Sequence, residues 1–360
     1  MSGRGAAKGP ADLVREEILA LAAYHVASAG GMLKLDAMEN PFRLPEALRE
    51  EVGHTVAALA INRYPDPQAP ELKARLRQVF SVPAEAGLLI GNGSDEIIAI
   101  LAQTLARPGA VLLAPEPSFA MYRMNALFAR MNFVGVPLER DFGLDPDRFL
   151  DAVATHRPAL TFIAYPNNPT GNLFPEDVVA RIVEAAPGLV VIDEAYHVFA
   201  RKSFLPRLAE FPNLMVMRTV SKLGLAGVRL GYAAAAPEWI RELDKVRPPY
   251  NVSVLAQFVA ERVLAHVGVL ESQAERIRAE RDALFERLRE LRGVEAFPSA
   301  ANFVLVRVPD AEALNARLLA RRILVRNFHG SHPLLANCLR LTVGTPGENE
   351  LLLDALTASL

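Results

Sequence analysis

Cysteine and tryptophan are nearly missing from this 360-residue chain, which has one of each. A single cysteine, Cys338, leaves no intrachain disulfide and no multi-cysteine metal site. The seven histidines show no paired spacing of the His-Glu-x-x-His kind, so we predict no metal. Cys338 lies within an apolar segment, and we interpret it as a small buried hydrophobic residue.

Long hydrophobic runs and an excess of one charge are also missing. No apolar run reaches the roughly 18 residues that span a bilayer, and Arg15, Glu16 and Glu17 interrupt the stretch where a signal peptide would need its apolar segment. The net charge is −2, and no cluster of Lys and Arg would hold nucleic acid. We therefore expect a cytoplasmic globular protein that binds neither nucleic acid nor a membrane.

Short apolar runs alternate with amphipathic stretches from about residue 60 to residue 237. The predicted strands are Leu88–Gly91, Ala110–Ala114, Leu160–Ala164, Leu189–Ile192 and Leu214–Val220. The predicted helices are Asp95–Ala106, Ala120–Met131, Pro146–Ala154 and Pro175–Ala186. Strands continuous in Val, Ile and Leu that alternate with helices indicate a mostly parallel sheet covered on both faces.

The pattern changes after residue 249. A long charged amphipathic stretch, Val252–Leu291, contains a predicted break near Gly268, and apolar strand-like segments follow at Asn302–Val308, Ile323–Val325 and Leu339–Val343. This pattern is typical of a smaller α+β domain. We predict four parts: a flexible tail (1–12), an N-terminal arm with part of the small domain (13–59), a large domain (60–249) and a small C-terminal domain (250–360).

Polar clusters follow four of the predicted strands. They are the Gly91–Glu96 turn, the Tyr165–Gly171 loop, the Asp193–Tyr196 segment and the Thr219–Lys222 segment, with Arg229 shortly after. Ligands of such sheets bind at the carboxyl ends of the strands. Each cluster alone is compatible with a structural role, because turns, caps and ion pairs use the same residue types.

Taken together, the clusters supply three chemical groups at one edge of the sheet. Ser94 or Asp95 can cap a helix whose free N–H groups make a phosphate site. Asp193 supplies an acid, and Lys222 supplies an amine whose pKa burial would lower. Pyridoxal phosphate needs this set, because its phosphate, ring nitrogen and aldehyde require a helix start, an acid and a lysine respectively.

The order and spacing of these residues resemble the aspartate-aminotransferase superfamily, fold type I. The matches are the Asn-Pro-Thr-Gly loop at 168–171, Asp193-x-x-Tyr196, Ser221-Lys222 and Arg340. Within the superfamily the chain resembles the histidinol-phosphate aminotransferases in the strings that begin at Leu35, Asn62, Gly93, Arg218, Leu225 and Leu339. It departs from their pattern at Met38, where Asn is usual, and in the interval from Lys222 to Arg229, which is one residue short.

The resemblance implies a role for each matched residue. Lys222 is the Schiff-base lysine that moves a proton between substrate and cofactor, Asp193 pairs with the ring nitrogen, and Asn168 and Tyr196 bind the phenolate oxygen. The cofactor phosphate is bound by the turn of Gly93, Ser94 and Asp95, together with Ser221 and Arg229. Phe119 stacks on the ring or is a core aromatic. Tyr64 reaches the cofactor phosphate of a neighbouring subunit, which implies a homodimer.

The resemblance also implies the substrates. Arg340 binds the substrate's anionic group, because its planar fork accepts a carboxylate or a phosphate. The other candidates for substrate contact are Tyr24, Asn40, Tyr250 and Arg326, although Tyr24 suits a packing role and Arg326 a structural one equally well. The implied reaction converts histidinol phosphate and 2-oxoglutarate into imidazole-acetol phosphate and glutamate, in histidine biosynthesis.

Two kinds of alternative stay open. One is a related enzyme on the same scaffold, an aromatic aminotransferase or a threonine-phosphate decarboxylase, because the fold and the cofactor residues are shared among them. The other is a non-enzymatic pyridoxal-phosphate sensor joined to a DNA-binding module. That alternative is the weaker one, because only about twelve residues precede the first predicted helix and a basic DNA-binding module needs more.

Overall fold

The computed structural model describes residues 9–23 and 30–360. Its strands are β1 (Leu33–Leu35), β2 (Gly87–Gly91), β3 (Val111–Glu116), β4 (Asn132–Pro137), β5 (Leu160–Ala164), β6 (Leu189–Asp193), β7 (Leu214–Thr219), β8 (Gly231–Ala235), β9 (Glu295–Ala296), β10 (Phe303–Arg307), β11 (Ile323–Asn327) and β12 (Cys338–Thr342).

The α-helices of these residues are α1 (Pro10–Leu13), α2 (Glu16–Leu19), α3 (Glu46–Ala57), α4 (Pro70–Phe80), α5 (Ser94–Leu105), α6 (Met121–Phe128), α7 (Pro146–His156), α8 (Glu176–Ala185), α9 (His197–Ala200), α10 (Pro237–Asp244), α11 (Val254–Ala265), α12 (Val267–Glu290), α13 (Ala311–Ala320) and α14 (Pro346–Thr357). Across the described ranges, none of these helices is long and apolar enough to cross a membrane.

Seven strands form the large sheet, in the order β2-β8-β7-β6-β5-β3-β4. Strand β8 runs against both of its neighbours, and the β3 to β7 pairs are parallel. The register pairs Ala164 with Asp193 and Asp193 with Met217, so β5, β6 and β7 end at the same edge. This mixed α/β architecture confirms the predicted fold class.

Side chains on the large sheet alternate between two apolar layers, as strand geometry requires. In β7, Leu214 and Val216 belong to the layer that includes α4, α8 and α11, whereas Met215 and Met217 belong to the layer of α5 and α6. Both faces of the strand are therefore buried, which explains why its sequence is continuously apolar rather than alternating.

The five-stranded sheet has the order β1-β11-β12-β10-β9, and β1 pairs in parallel with β11. A third apolar cluster joins its strands to α12, α13 and α14. The N-terminal strand thus completes a sheet built mainly from residues after 290. The boundaries of the predicted domains stay a prediction, and part of the predicted tail lies outside the described residues.

The sequence missed two strands of the large sheet and displaced several ends. Strand β5 matches its prediction, and the break predicted near Gly268 falls at His266, between α11 and α12. Strand β8 has the sequence Gly-Tyr-Ala-Ala-Ala, which lacks the β-branched residues that indicate strands, yet it is wholly buried. Small side chains suit this position because they let neighbouring backbone approach closely: a Cβ at Gly231 would lie 2.6 Å from the Ser94 nitrogen.

Candidate active site

The carboxyl ends of β5, β6 and β7 open into one cavity, which we call the inner cavity. Nine residues predicted as cofactor ligands line it: Ser94, Asp95, Phe119, Asn168, Asp193, Tyr196, Ser221, Lys222 and Arg229. They come from five separate segments of the chain, so their meeting depends on the sheet and not on local sequence. The structure thus brings the predicted phosphate cradle, acid and lysine together.

Lys222 lies in the tight turn Ser221–Leu225 that follows β7. Its Nζ donates to the carbonyl oxygen of Ala37 at 2.9 Å. Burial, and after it the positive charge of Arg340, lower the pKa of Lys222 to about 7. The amine is therefore available in its neutral, nucleophilic form near neutral pH, unlike an exposed lysine.

Asp193 ends β6 and is 5% exposed. Its Oδ1 accepts from the Ala195 N–H at 3.1 Å, and its Oδ2 accepts from the Tyr122 hydroxyl at 2.7 Å. Burial raises the pKa of Asp193 to about 6, and both hydrogen bonds oppose that rise. A buried carboxylate that retains its charge is suited to pair with a cation in the cavity.

The start of α5 offers free backbone N–H groups, which suit an anion. The helix begins at Ser94 with Gly93 as its N-cap, and no side chain caps it, so the predicted capping by Ser94 or Asp95 is wrong. Both residues lie inside the first turn, where their N–H groups have no helical acceptor. Arg229 approaches this turn, with its Nη2 3.4 Å from Asp95 Oδ2. The short Lys222–Arg229 interval therefore still delivers the guanidinium to the cavity.

Asn168 and Arg340 link the inner cavity to a second one, the outer cavity. Arg340 Nη1 donates to Asn168 Oδ1 at 2.6 Å, and its Nη2 donates to the Asp36 carbonyl at 2.8 Å. Because an arginine only donates, the Asn168 oxygen is the acceptor, and the amide nitrogen is the group it can offer to a ligand. Tyr196 is buried, which raises the pKa of its phenol, so the hydroxyl stays protonated and can donate.

The outer cavity adjoins the inner one, since Met38, Asp95, Phe119 and Asn168 line both. Its other lining residues are Ser118, Ala120, Met121, Arg326, Phe328 and Arg340. Arg326 and Arg340 are register partners in the β11–β12 pair, so their side chains leave the same place on the small sheet. Two arginines beside apolar walls fit a small ligand with an anionic end.

Met38 holds an unusual backbone conformation between the two cavities. Its φ is +53°, in the left-handed region that favours Asn and Gly over Met. Its N–H donates to Thr342 Oγ1 at 3.1 Å, and its carbonyl accepts from Asn302 Nδ2 at 3.0 Å. These two bonds to the Met38 backbone stabilise the left-handed conformation.

Four predicted substrate or cofactor residues line neither cavity: Gly93, which is the N-cap of α5, and Asn40, Tyr64 and Tyr250. Asn40 donates to the Leu223 carbonyl and to Gln273 Oε1, both at 3.0 Å, and its Oδ1 accepts from the Phe42 N–H, so the structure uses its amide to support the turn after Lys222. Tyr64 stacks on Tyr250 with ring centroids 4.5 Å apart, on an exposed surface. Asn40 and Tyr250 thus lie outside both cavities of this chain, and their contacts with substrate stay a prediction. Tyr24 lies outside the described residues.

Two features of the site were not predicted from the sequence. Tyr122 was part of a predicted helix, and nothing in its spacing marked it as the partner of Asp193. Glu194 and Arg218 form a buried ion pair at 2.7 Å on the other side of the sheet from the cavity, which ties the ends of β6 and β7 together. The adjacency of Glu194 to Asp193, and of Arg218 to the Thr219–Lys222 segment, was the available clue. No group of three or more candidate metal ligands occurs in the two described ranges.

Fold and site together define a class, and comparison with known proteins names it. The family model "Aminotransferase class I and II" matches residues 31–356, and the chain belongs to that family. It is 57% identical over 353 residues to histidinol-phosphate aminotransferase 1 of Ralstonia nicotianae, covering 97% of this chain and 94% of the relative. It is 58% identical over 344 residues to the histidinol-phosphate aminotransferase of Chromobacterium violaceum, covering 96% and 97%.

A solved structure agrees with these relatives. The histidinol-phosphate aminotransferase of Sinorhizobium meliloti, in complex with pyridoxal-5'-phosphate, superposes with a TM-score of 0.85 at 25% identity, over 96% of each chain. The similarity in fold therefore extends over almost the whole chain, including both sheets that border the cavities.

Proposed function

We propose that this chain is a histidinol-phosphate aminotransferase of histidine biosynthesis, which uses pyridoxal 5'-phosphate. It transfers the amino group of histidinol phosphate to 2-oxoglutarate and yields imidazole-acetol phosphate and glutamate. The observation that carries the proposal is the joining of two cavities, one with a lysine, an acid and a helix start, the other with two arginines. The names of the relatives support the same reaction.

The residues of the inner cavity fit the cofactor. Its phosphate suits the uncapped first turn of α5 and the Arg229 guanidinium, its ring nitrogen suits the Asp193 carboxylate, and its ring face suits Phe119. When bound, pyridoxal phosphate supplies an electron sink that stabilises negative charge at the substrate's α-carbon. The Tyr196 hydroxyl and the Asn168 amide supply hydrogen-bond donors in the same cavity.

Lys222 performs the proton transfers. With the cofactor bound, its lowered pKa would leave a neutral nitrogen to hold the cofactor's aldehyde. The same Nζ would take a proton from the substrate's α-carbon and return it. A pKa near the working pH favours both directions of this transfer, since the same nitrogen must accept and release the proton.

Arg340 and Arg326 bind the anionic end of either amino donor. Glutamate presents an α-carboxylate, and histidinol phosphate presents a phosphate ester. A guanidinium fork can donate to two oxygens of either group. Arg340 also donates to Asn168 Oδ1. One hydrogen bond therefore connects a residue that binds substrate in the outer cavity to a residue that binds the cofactor in the inner cavity.

The functional unit proposed is a cytoplasmic homodimer. Tyr64 is 81% exposed and Tyr250 is 42% exposed, and their stacked rings form an apolar surface outside both cavities. Exposed aromatic pairs of this kind are enriched at subunit contacts. In a dimer that packs through this surface, Tyr64 would lie near the cavities of the partner chain and not near those of its own chain, as the family resemblance implies.

A half-reaction tests the substrate. Histidinol phosphate added to the cofactor-loaded protein should abolish its visible absorbance band, and 2-oxoglutarate should restore it. Histidinol without its phosphate is the matched control, and it should need a much higher concentration because it lacks the anion. A response to phenylalanine with none to histidinol phosphate would contradict the proposal in favour of an aromatic aminotransferase, and carbon dioxide release from threonine phosphate would favour the decarboxylase.

A further inference from the structure

Tyr122 lies on α6 beside the proposed catalytic acid, lines the inner cavity and is 1% exposed. Its ring stacks on Phe162, with centroids 4.4 Å apart and planes at 5°, and meets Phe119 edge to face at 5.6 Å. Its hydroxyl donates to Asp193 Oδ2 at 2.7 Å. Packing on two rings fixes the direction of this hydroxyl, so the hydrogen bond does not depend on a mobile side chain.

The direction of the hydrogen bond follows from the electrostatics around it. Burial, and after it the charge of Asp193, raise the pKa of the Tyr122 phenol well above its usual value. The phenol is therefore protonated and acts as the donor, and the carboxylate is the acceptor. A carboxylate that accepts hydrogen bonds is stabilised in its charged form.

Most of the other groups around Asp193 favour its neutral form. Burial is the largest of these influences, and the negative charges of Asp95 on α5 and Glu194 beside it act in the same direction. Tyr196 shares the cavity as a neutral phenol, and the basic side chains of Lys222 and Arg229 also line it. Within the carboxyl's own contacts, the Ala195 N–H and the Tyr122 hydroxyl are the two groups that hold the negative charge.

We propose that Tyr122 is a positioning residue that keeps Asp193 ionised and fixes the orientation of its carboxylate toward the bound ring. The identity of that ring rests on the proposed function. The effect of Tyr122 on Asp193 is already present in the cofactor-free protein. Two oxygens with one fixed donor each leave the carboxylate one orientation, with its remaining lone pairs facing the cavity. The sequence placed Tyr122 in a helix and assigned it no role.

Tyr122→Phe removes one oxygen and keeps both ring contacts. In cofactor-free protein with ¹³C-labelled aspartate, the titration midpoint of Asp193 should move up by about one pH unit, since a hydrogen bond to a charged group stabilises that charged form. Cofactor binding should then weaken on the acidic side and recover at alkaline pH, and the acidic limb of kcat should move the same way. A midpoint unchanged by Tyr122→Phe would overturn the proposal.

The matched control is Tyr232→Phe. Tyr232 is as buried as Tyr122 and lies on β8 of the large sheet. Its hydroxyl accepts from Arg218 and does not donate to Asp193. It should lower stability without moving the Asp193 midpoint. An equal shift in both variants would show a general structural effect and overturn the proposal.

A second variant keeps the test independent of folding. 3,5-Difluorotyrosine at position 122 keeps the hydroxyl and makes it a stronger donor, so the Asp193 midpoint should move down, opposite to Tyr122→Phe. A shift in the same direction for both would also refute the proposal. Failure of the histidinol phosphate half-reaction, with both titration shifts present, would refute the proposed substrate and leave the role of Tyr122 intact.

Discussion

Replacing Lys222 by methionine should make the cofactor-free protein more stable. Folding lowers the lysine's pKa from 10.5 to about 7, so the folded state disfavours its charged form. Between these two values the unfolded chain holds a proton that the folded chain lacks, and stability therefore rises with pH through this window. At pH 7 the folded protein carries nearly the whole cost, about 5 kcal/mol at 1.36 kcal/mol per pH unit, and at pH 9 about 2 kcal/mol.

Methionine removes this cost and keeps the unbranched stem of the side chain. It also leaves the Ala37 carbonyl without its donor, which costs roughly 1 kcal/mol. The net gain is therefore about 4 kcal/mol at pH 7 and about 1 kcal/mol at pH 9. With an unfolding entropy of roughly 2.1 cal/mol/K per residue, the melting temperature should rise by about 5 °C at pH 7 and about 1 °C at pH 9.

Differential scanning calorimetry of both cofactor-free proteins at the two pH values measures these differences. Lys245→Met is the control, because its side chain is 67% exposed and pairs with Glu242 at the surface, and it should show no gain at either pH. A Lys222→Met protein that is less stable than the original, or a gain that is equal at pH 7 and pH 9, would refute a lysine held at lowered pKa.

Three further predictions follow from the site. Arg340→Lys should lower kcat/KM for histidinol phosphate and for glutamate by roughly 100-fold, because an ammonium cannot replace two parallel guanidinium bonds; steady-state kinetics with both donors measures it, and an unchanged kcat/KM would contradict it. Asp193→Asn should abolish transamination yet stabilise the cofactor-free protein above pH 6 by up to about 3 kcal/mol, since folding raises the pKa of this carboxyl from 3.8 to about 6. This gain in stability should vanish as the pH falls below 4. A loss of stability in melting experiments at pH 7.5 would contradict the prediction. Mixing Tyr64→Ala with Lys222→Met subunits should restore activity that neither has alone, because each mixed dimer regains one intact site; no recovery after unfolding and refolding the mixture would contradict a shared site.

The architecture could be predicted because buried parallel strands have a strong sequence pattern. Leu160–Ala164 is apolar except for Thr161 and Leu189–Ile192 is wholly apolar, and their ends placed Asn168 and Asp193 at one edge by the rule for parallel sheets. Strand β8 could not be found this way, because its alanines carry no preference for strands and are buried in the two apolar layers that cover the sheet. Position in the sheet overrode local propensity there.

Site residues could be predicted where burying their charge costs free energy. They could not be predicted where a contact with a neighbouring residue determines their role. Lys222 and Asp193 were noticeable because charges rarely end buried strands. Tyr122 is an ordinary helix residue until the fold aims its hydroxyl at Asp193. Asn40 is the opposite case. Its motif indicated a contact with ligand, but its amide donates to the Leu223 carbonyl in the turn that contains Lys222.

The most direct test of the proposed chemistry is to locate the lysine that binds the cofactor. Borohydride reduction of the loaded protein, followed by peptide mass spectrometry, should place the cofactor's mass on the peptide with Lys222, and Lys222→Met should carry none. Lys73 is the other lysine of the described ranges whose pKa burial lowers, so it is the natural competitor. Label on Lys73, or on the Lys222→Met protein, would contradict the assignment of Lys222.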